Sequence, residues 1–231
     1  MDCRLYLKCI VLFVAMAWQQ TVQAQTAAEW RDSLRVLNRQ IASQPWSTDL
    51  HLRKAAVNLE LQQWQYAIDE YGLILHHEAQ NPAALFYRAY ASTHLRHYAA
   101  AQNDYEEFLS IFPRHTEARL SLAYVFQQMG HMTEALDQLN MVVEMRPDSA
   151  VAYASRASLE RELKQYDAAL YDWQEAARLE PLNADYVVSQ VDLLLFLNRR
   201  EEARRVLDAA VSRGVPRGLL HSWYERCRKK K

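Results

Sequence analysis

A 34-residue unit repeats five times in register between Thr48 and Arg217, and this period constrains the fold more than any other feature of the chain. The units are 48–81, 82–115, 116–149, 150–183 and 184–217, with no insertion or deletion across 170 residues. The most regular, starting AVAYASRASLERELKQYDAALYDWQEAARLEP at Ala150, reads as two amphipathic helices parted by a short polar break near Lys164–Gln165. Position 20 of the unit is Ala67, Ala101, Ala135, Ala169 and Ala203, and position 8 is Ala55, Ala89, Ala123, Ala157 and Val191. Small residues at these two places let the helices of a hairpin approach closely. Position 24 is bulky throughout, with Tyr71, Tyr105, Leu139, Trp173 and Leu207. Position 32 is Pro113, Pro147 and Pro181 in the middle units, and Pro45 holds the equivalent place before the first. A proline there ends the second helix, because it has no N–H with which to continue it. Ala79 and Val215 break the pattern, with Pro82 and Pro216 close by.

With only 4 Gly and 6 Pro in 231 residues, against abundant Ala, Leu, Gln, Glu and Arg, the chain is expected to be all-helical. Ahead of the repeats, Trp30, Leu34, Leu37 and Ile41 recur at helical spacing, so 25–47 reads as an N-terminal capping helix stopped by Pro45. After them, Leu219, Leu220, Trp223 and Tyr224 do the same, so 218–231 reads as a C-terminal capping helix with a frayed basic tail from Arg226.

The period, the small residues at 8 and 20, the bulk at 24 and the proline at 32 resemble the tetratricopeptide repeat. The resemblance covers 48–217 and implies a right-handed α-solenoid of five helical hairpins, the first helices lining a concave groove and the second helices forming the convex back. Position 4, often Trp in that family, is here His51, Leu85, Arg119, Tyr153 and Val187. Position 7, commonly Leu, is Lys54, Arg88, Leu122, Arg156 and Gln190. Wherever position 7 is cationic, position 23 is acidic (Glu70, Asp104, Asp172), and elsewhere it is Gln138 or Val206. This covariation predicts the ion pairs Lys54–Glu70, Arg88–Asp104 and Arg156–Asp172 between the two helices of a hairpin.

Residues 1–24 have another character. Arg4 and Lys8 precede the apolar run Cys9–Trp18, and a polar end follows with small residues at Val22 and Ala24. This is the pattern of a cleaved signal peptide, cut after Ala24, and the chain is expected to be exported to a periplasm or secreted. Ten apolar residues are too few for a membrane span, which needs ~20. Cleavage would remove Cys3 and Cys9 and leave Cys227 alone, so helix packing rather than disulfides must hold the fold.

No phosphate loop, GxSxG, HExxH, CxxC or dinucleotide fingerprint occurs. His94 and His97, with His131, are the best metal candidates, but two ligands at i, i+3 make no site without further donors. No catalytic, cofactor-binding or metal-binding residue is therefore assigned. By resemblance, positions 2, 5, 6, 9, 12 and 13 face the groove, which places Phe86, Tyr87, Tyr90 and Tyr124 there. These rings either form a platform for an extended peptide or partner helix, or pack against the adjoining repeat. The basic and Asn-rich carboxylate clamp of some family members is not carried over, because its places hold Leu52, Ala56, Phe86 and Tyr90.

Charge is divided along the chain. Residues 25–198 carry 14 basic and 23 acidic side chains, and residues 199–231 carry 11 and 4. The basic end (Arg226, Arg228, Lys229, Lys230, Lys231) is a solvated tail, a contact for an anionic surface, or a contact for the acidic body of another copy, leaving the chain a monomer or a weak homo-oligomer. Nucleic acid is disfavoured, because the acidic body repels phosphate. The expected function is that of a non-catalytic exported scaffold or adaptor that binds a protein or peptide in its groove. The alternatives are an accessory subunit of an envelope enzyme or assembly machine, and a self-assembling structural protein.

Overall fold

The computed structural model describes residues 27–228. Residues 1–26, which hold the expected signal peptide, and Lys229–Lys231 lie outside the described residues. The chain divides into two compact units, one ending at His97 and one beginning at Tyr98. The first contains α1 (27–43), α2 (Thr48–Glu60), α3 (Trp64–His77) and α4 (Pro82–His94). The second contains α5 (Tyr98–Ile111), α6 (Thr116–Met129), α7 (Met132–Met145), α8 (Ala150–Glu162), α9 (Tyr166–Leu179), α10 (Ala184–Phe196) and α11 (Arg200–Ser212). A 3₁₀ turn (Arg217–Leu220) then leads into α12 (His221–Arg228). The described residues form no strand, and none of their helices is long and apolar enough to cross a membrane.

Each repeat is punctuated by the same local chemistry. The residue before each first helix caps it: Ser47, Asn81, His115 and Ser149 each accept a hydrogen bond from the backbone N–H three residues on, and Asn183 accepts from Asp185 N. Such caps satisfy an amide that has no intrahelical partner. Between the two helices, position 15 is left-handed every time, with φ of 55° at Gln62, 60° at Arg96, 81° at Gly130, 62° at Lys164 and 60° at Asn198. The next N–H then bonds back to the carbonyl of position 11 at 2.8–2.9 Å, as in His131 N to Phe126 O. This closes the helix end and reverses the chain.

Only one of these five residues is glycine, and a Cβ at Gly130 would meet nothing within 4 Å. Gly130→Ala is therefore expected to lose about 1 kcal/mol from the backbone conformation alone. Gly130→Asn should lose less, because Asn tolerates this region. Urea denaturation of both variants checks the order, and an unchanged midpoint for the Ala variant would contradict it.

Positions 8 and 20 are buried in every repeat, at no more than 2% exposure. Position 24 lies beside them, from Leu207 at 0% to Leu139 at 4%. In the second unit, Ala157, Ala169, Trp173, Val191, Ala203 and Leu207 belong to one core cluster that continues into Leu220 and Tyr224 of the C-terminal segment. At the other end, α1 packs Leu37 against Leu50 and Val57 of α2, with Leu34 and Ile41 at the margin.

α12 is tied down further than the sequence suggested. Trp223 Nε1 donates to Asp192 Oδ1 at 3.0 Å, Tyr224 Oη donates to Asp208 at 2.7 Å, and Arg226 pairs with Asp192. The helix runs through Arg228, which pairs with Glu225 at 3.0 Å, so the expected fraying from Arg226 is not seen as far as Arg228. The cause is the indole and guanidinium sharing one carboxylate on α10.

Candidate functional site

In α4 the exposed residues Tyr87, Tyr90 and His94 fall at i, i+3 and i+7, which is one stripe of a helix. Tyr87 is 45% exposed and Tyr90 40%, while Phe86 is half-buried with its ring edge-on to Tyr87 at 5.2 Å. Tyr87 stacks over Tyr71 of α3 at 6.2 Å. Burial, together with Tyr87 beside it, pushes the Tyr71 hydroxyl above the usual phenol range. Tyr90 meets His94 edge-on at 4.6 Å, and His94 lies flat on Trp64 of α3 at 4.0 Å with only 2° between the rings. Each predicted ring of the first unit therefore has an exposed face and a supported one. Tyr124, in the second unit, is 48% exposed on α6.

Sequence reasoning placed Tyr90 on this surface and missed Trp64. His94, a metal candidate to which the sequence assigns no site, is a stacking partner here. The repeat register holds the signal that finds them. Trp64 is position 17 of one unit and His94 is position 13 of the next; Tyr166 and Phe196 occupy the same two places and meet edge-on at 5.6 Å. Among the described residues no three His, Cys, Asp or Glu side chains group to hold a metal ion.

Beside the first repeat, α1 and α2 enclose a cleft of about 690 Å³. Trp30, Val36 and Val57 supply its apolar wall and Glu29, Asp32 and Glu60 its acids, with Arg53 opposite.

Two of the three predicted ion pairs lie within a single unit, and both form. Lys54 Nζ is 2.7 Å from Glu70 Oε1, and Arg156 grips both oxygens of Asp172 at 2.6 and 2.9 Å. A second bridge was not foreseen. His51 at position 4 places Nδ1 2.6 Å from Glu70 and Nε2 3.0 Å from the carbonyl of Pro45. Arg119, at position 4 of the third repeat, donates to Gln138 at 2.6 Å and twice to the carbonyl of Pro113. Position 4 thus ties its own hairpin to the proline turn before it. In the third repeat it serves position 23 in place of the missing position-7 cation. Cys227 is unpaired, and burial raises its thiol pKa, which disfavours the reactive thiolate.

Residues 94–159 match the model of the tetratricopeptide repeat family. Sperm-associated antigen 1 of Mus musculus is 32% identical over 85 residues, which cover 36% of this chain but only 9% of that protein's length. A tetratricopeptide repeat protein from Parabacteroides merdae superposes with a TM-score of 0.62 at 19% identity, covering 90% of this chain and 81% of that one. YrrB, described as a TPR protein with an unusual peptide-binding site, superposes with a TM-score of 0.61 at 17% identity, covering 77% of this chain and 92% of that one. The chain carries the helical-hairpin solenoid fold of tetratricopeptide-repeat proteins, and residues 94–159 match that family's own model.

Proposed function

We propose that this protein is an exported, non-catalytic scaffold that captures an extended peptide or partner helix on the aromatic face of its first helices. The observation that carries this reading is the stripe Tyr87, Tyr90 and His94, half-exposed yet held rigid by Tyr71 and Trp64 behind it. Rigid amphipathic rings give large contact area at small entropic cost, which is what a recognition surface needs. Tyr124 repeats the register of Tyr90, at position 9 of the next repeat. YrrB, a protein of the same fold with a peptide-binding site of its own, supports a peptide as ligand. Export rests on the charged, apolar and small-residue succession of residues 1–24.

Affinity capture from the envelope or secretion fraction tests both parts. The recovered protein should begin at Gln25. Tyr90→Ala/Tyr124→Ala should reduce the captured partner by about tenfold or more, as expected of central aromatic contacts. Tyr124→Ala alone should leave the melting temperature unchanged, because Tyr124 is half-exposed. Full capture by the double variant would overturn the groove reading, and an uncleaved N-terminus would overturn export.

A further inference from the structure

The fourth repeat holds a polar network that the fifth lacks, and a recess stands in its place. In the fourth repeat, Arg156 at position 7 grips Asp172 at position 23 and donates to Asn140, position 25 of the repeat before, at 3.0 Å. The same three register places around the fifth repeat hold Gln190, Val206 and Gln174, with neither cation nor carboxylate. These three residues, with Arg205 of α11 and Arg213 just beyond its end, line a recess of about 260 Å³ between α9, α10 and α11. Gln190 is only 8% exposed and lines this recess. Neither Arg205 nor Arg213 has a carboxylate within 4.0 Å among the described residues. Glu202, on the same helix, is already held by Arg199 at 2.8 and 2.6 Å.

We propose that this recess receives a carboxylate from an acidic segment of a partner protein, in the place that Asp172 fills in the fourth repeat. Two guanidinium forks offer the paired N–H donors and the charge that a carboxylate accepts best. The amides of Gln174 and Gln190 add neutral donors to the same volume, and Val206 leaves room where the missing acid would stand. The Gln190 amide lines the recess, where its N–H groups can donate to an incoming acceptor. The site uses positions 7, 22, 23, 25 and 30, away from the aromatic stripe, and does not depend on that stripe binding anything. The surplus of 11 basic over 4 acidic residues in 199–231 favours the approach of an acidic ligand to this end of the chain.

Two labelled Gly-Ser peptides test the proposal on the full chain. One carries an internal Asp-Glu-Asp and an amidated end, and the other has its terminal carboxylate as its sole acid. Binding of either should shift the Gln174 and Gln190 side-chain amide signals in a ¹⁵N-resolved spectrum, and the better binder identifies the carboxylate source. Arg205→Ala or Arg213→Ala should weaken binding by about tenfold, the loss of one charge-assisted bond. Gln190→Arg/Val206→Asp, which rebuilds the pair of the fourth repeat and fills the recess from within, should abolish binding while the protein still melts cooperatively. Should that variant fail to fold, Val206→Asp alone serves the same purpose. Arg226→Ala/Arg228→Ala should leave binding intact. The proposal is overturned if neither peptide shifts those amides, if the filled recess still binds, or if the Arg226/Arg228 variant loses as much as Arg205→Ala.

Discussion

Trp173→Ala is expected to lose roughly 3–5 kcal/mol of folding stability, the usual cost of emptying a large aromatic site in a core. Trp173 is 3% exposed and belongs to the cluster of Ala157, Ala169, Val187 and Val191. Its neighbours at positions 8 and 20 are already alanines, so no long side chain can swing into the void. The third and fifth repeats use Leu139 and Leu207 at this position, so Trp173→Leu should lose less, about 1–2 kcal/mol. Because native proteins are stable by only about 5–15 kcal/mol, the Ala variant removes a large share of the total. Urea unfolding followed by circular dichroism measures both. A loss below about 1 kcal/mol for Trp173→Ala would mean that position 24 is not the keystone of the hairpin.

Asp172→Ala is expected to lose about 2–4 kcal/mol, because it strands a largely buried guanidinium, discounted for the 18% exposure of the Arg156 side chain. Replacing both partners as the fifth repeat does, Arg156→Gln/Asp172→Val, should recover much of that loss at pH 5, where the neighbouring Glu160 carboxyl is protonated and no unpaired buried charge remains. The third participant is Glu160, 3.9 Å from Arg156, with Oε2 buried and unpaired. Burial first and Asp172 second raise its pKa from the ordinary 4.5 to about 7, with Arg156 opposing them. A carboxyl with a raised folded pKa is disfavoured in its ionised form, so Glu160 weakens the fold as pH rises from about 4.5 to about 7. Without Asp172, Glu160 loses a repelling neighbour and becomes the acid that Arg156 faces, so its pKa should fall. The cost of Asp172→Ala should therefore be larger at pH 5 than at pH 8. Melting curves at both values decide the point, and a cost that grows with pH would refute the coupling.

Much of the fold was legible because its determinants are local or strictly periodic. Ala67 and Ala203 stand at the same register place because two helices can approach only where side chains are small. Lys54–Glu70 and Arg156–Asp172 were legible because a buried charge needs a partner, and cation and acid vary together. Arg119–Gln138 was not, because its guanidinium starts one turn earlier and reaches a neutral amide, which no charge rule flags. The stacking of His94 on Trp64 joins two repeats across 30 residues, and two rings at that separation announce nothing until the helices are side by side.

The sequence by itself determined the helices, their hairpin pairing and the buried alanines, since these follow from period, residue size and the absence of breakers. Tertiary structure alone decided which aromatics keep an open face, that Asp192 anchors Trp223 and Arg226 of the last helix, and that the fifth repeat encloses a recess. The physical reason is that exposure, shared partners and empty volume belong to the space between helices. They depend on what every neighbouring side chain fills, and no single residue or spacing records that.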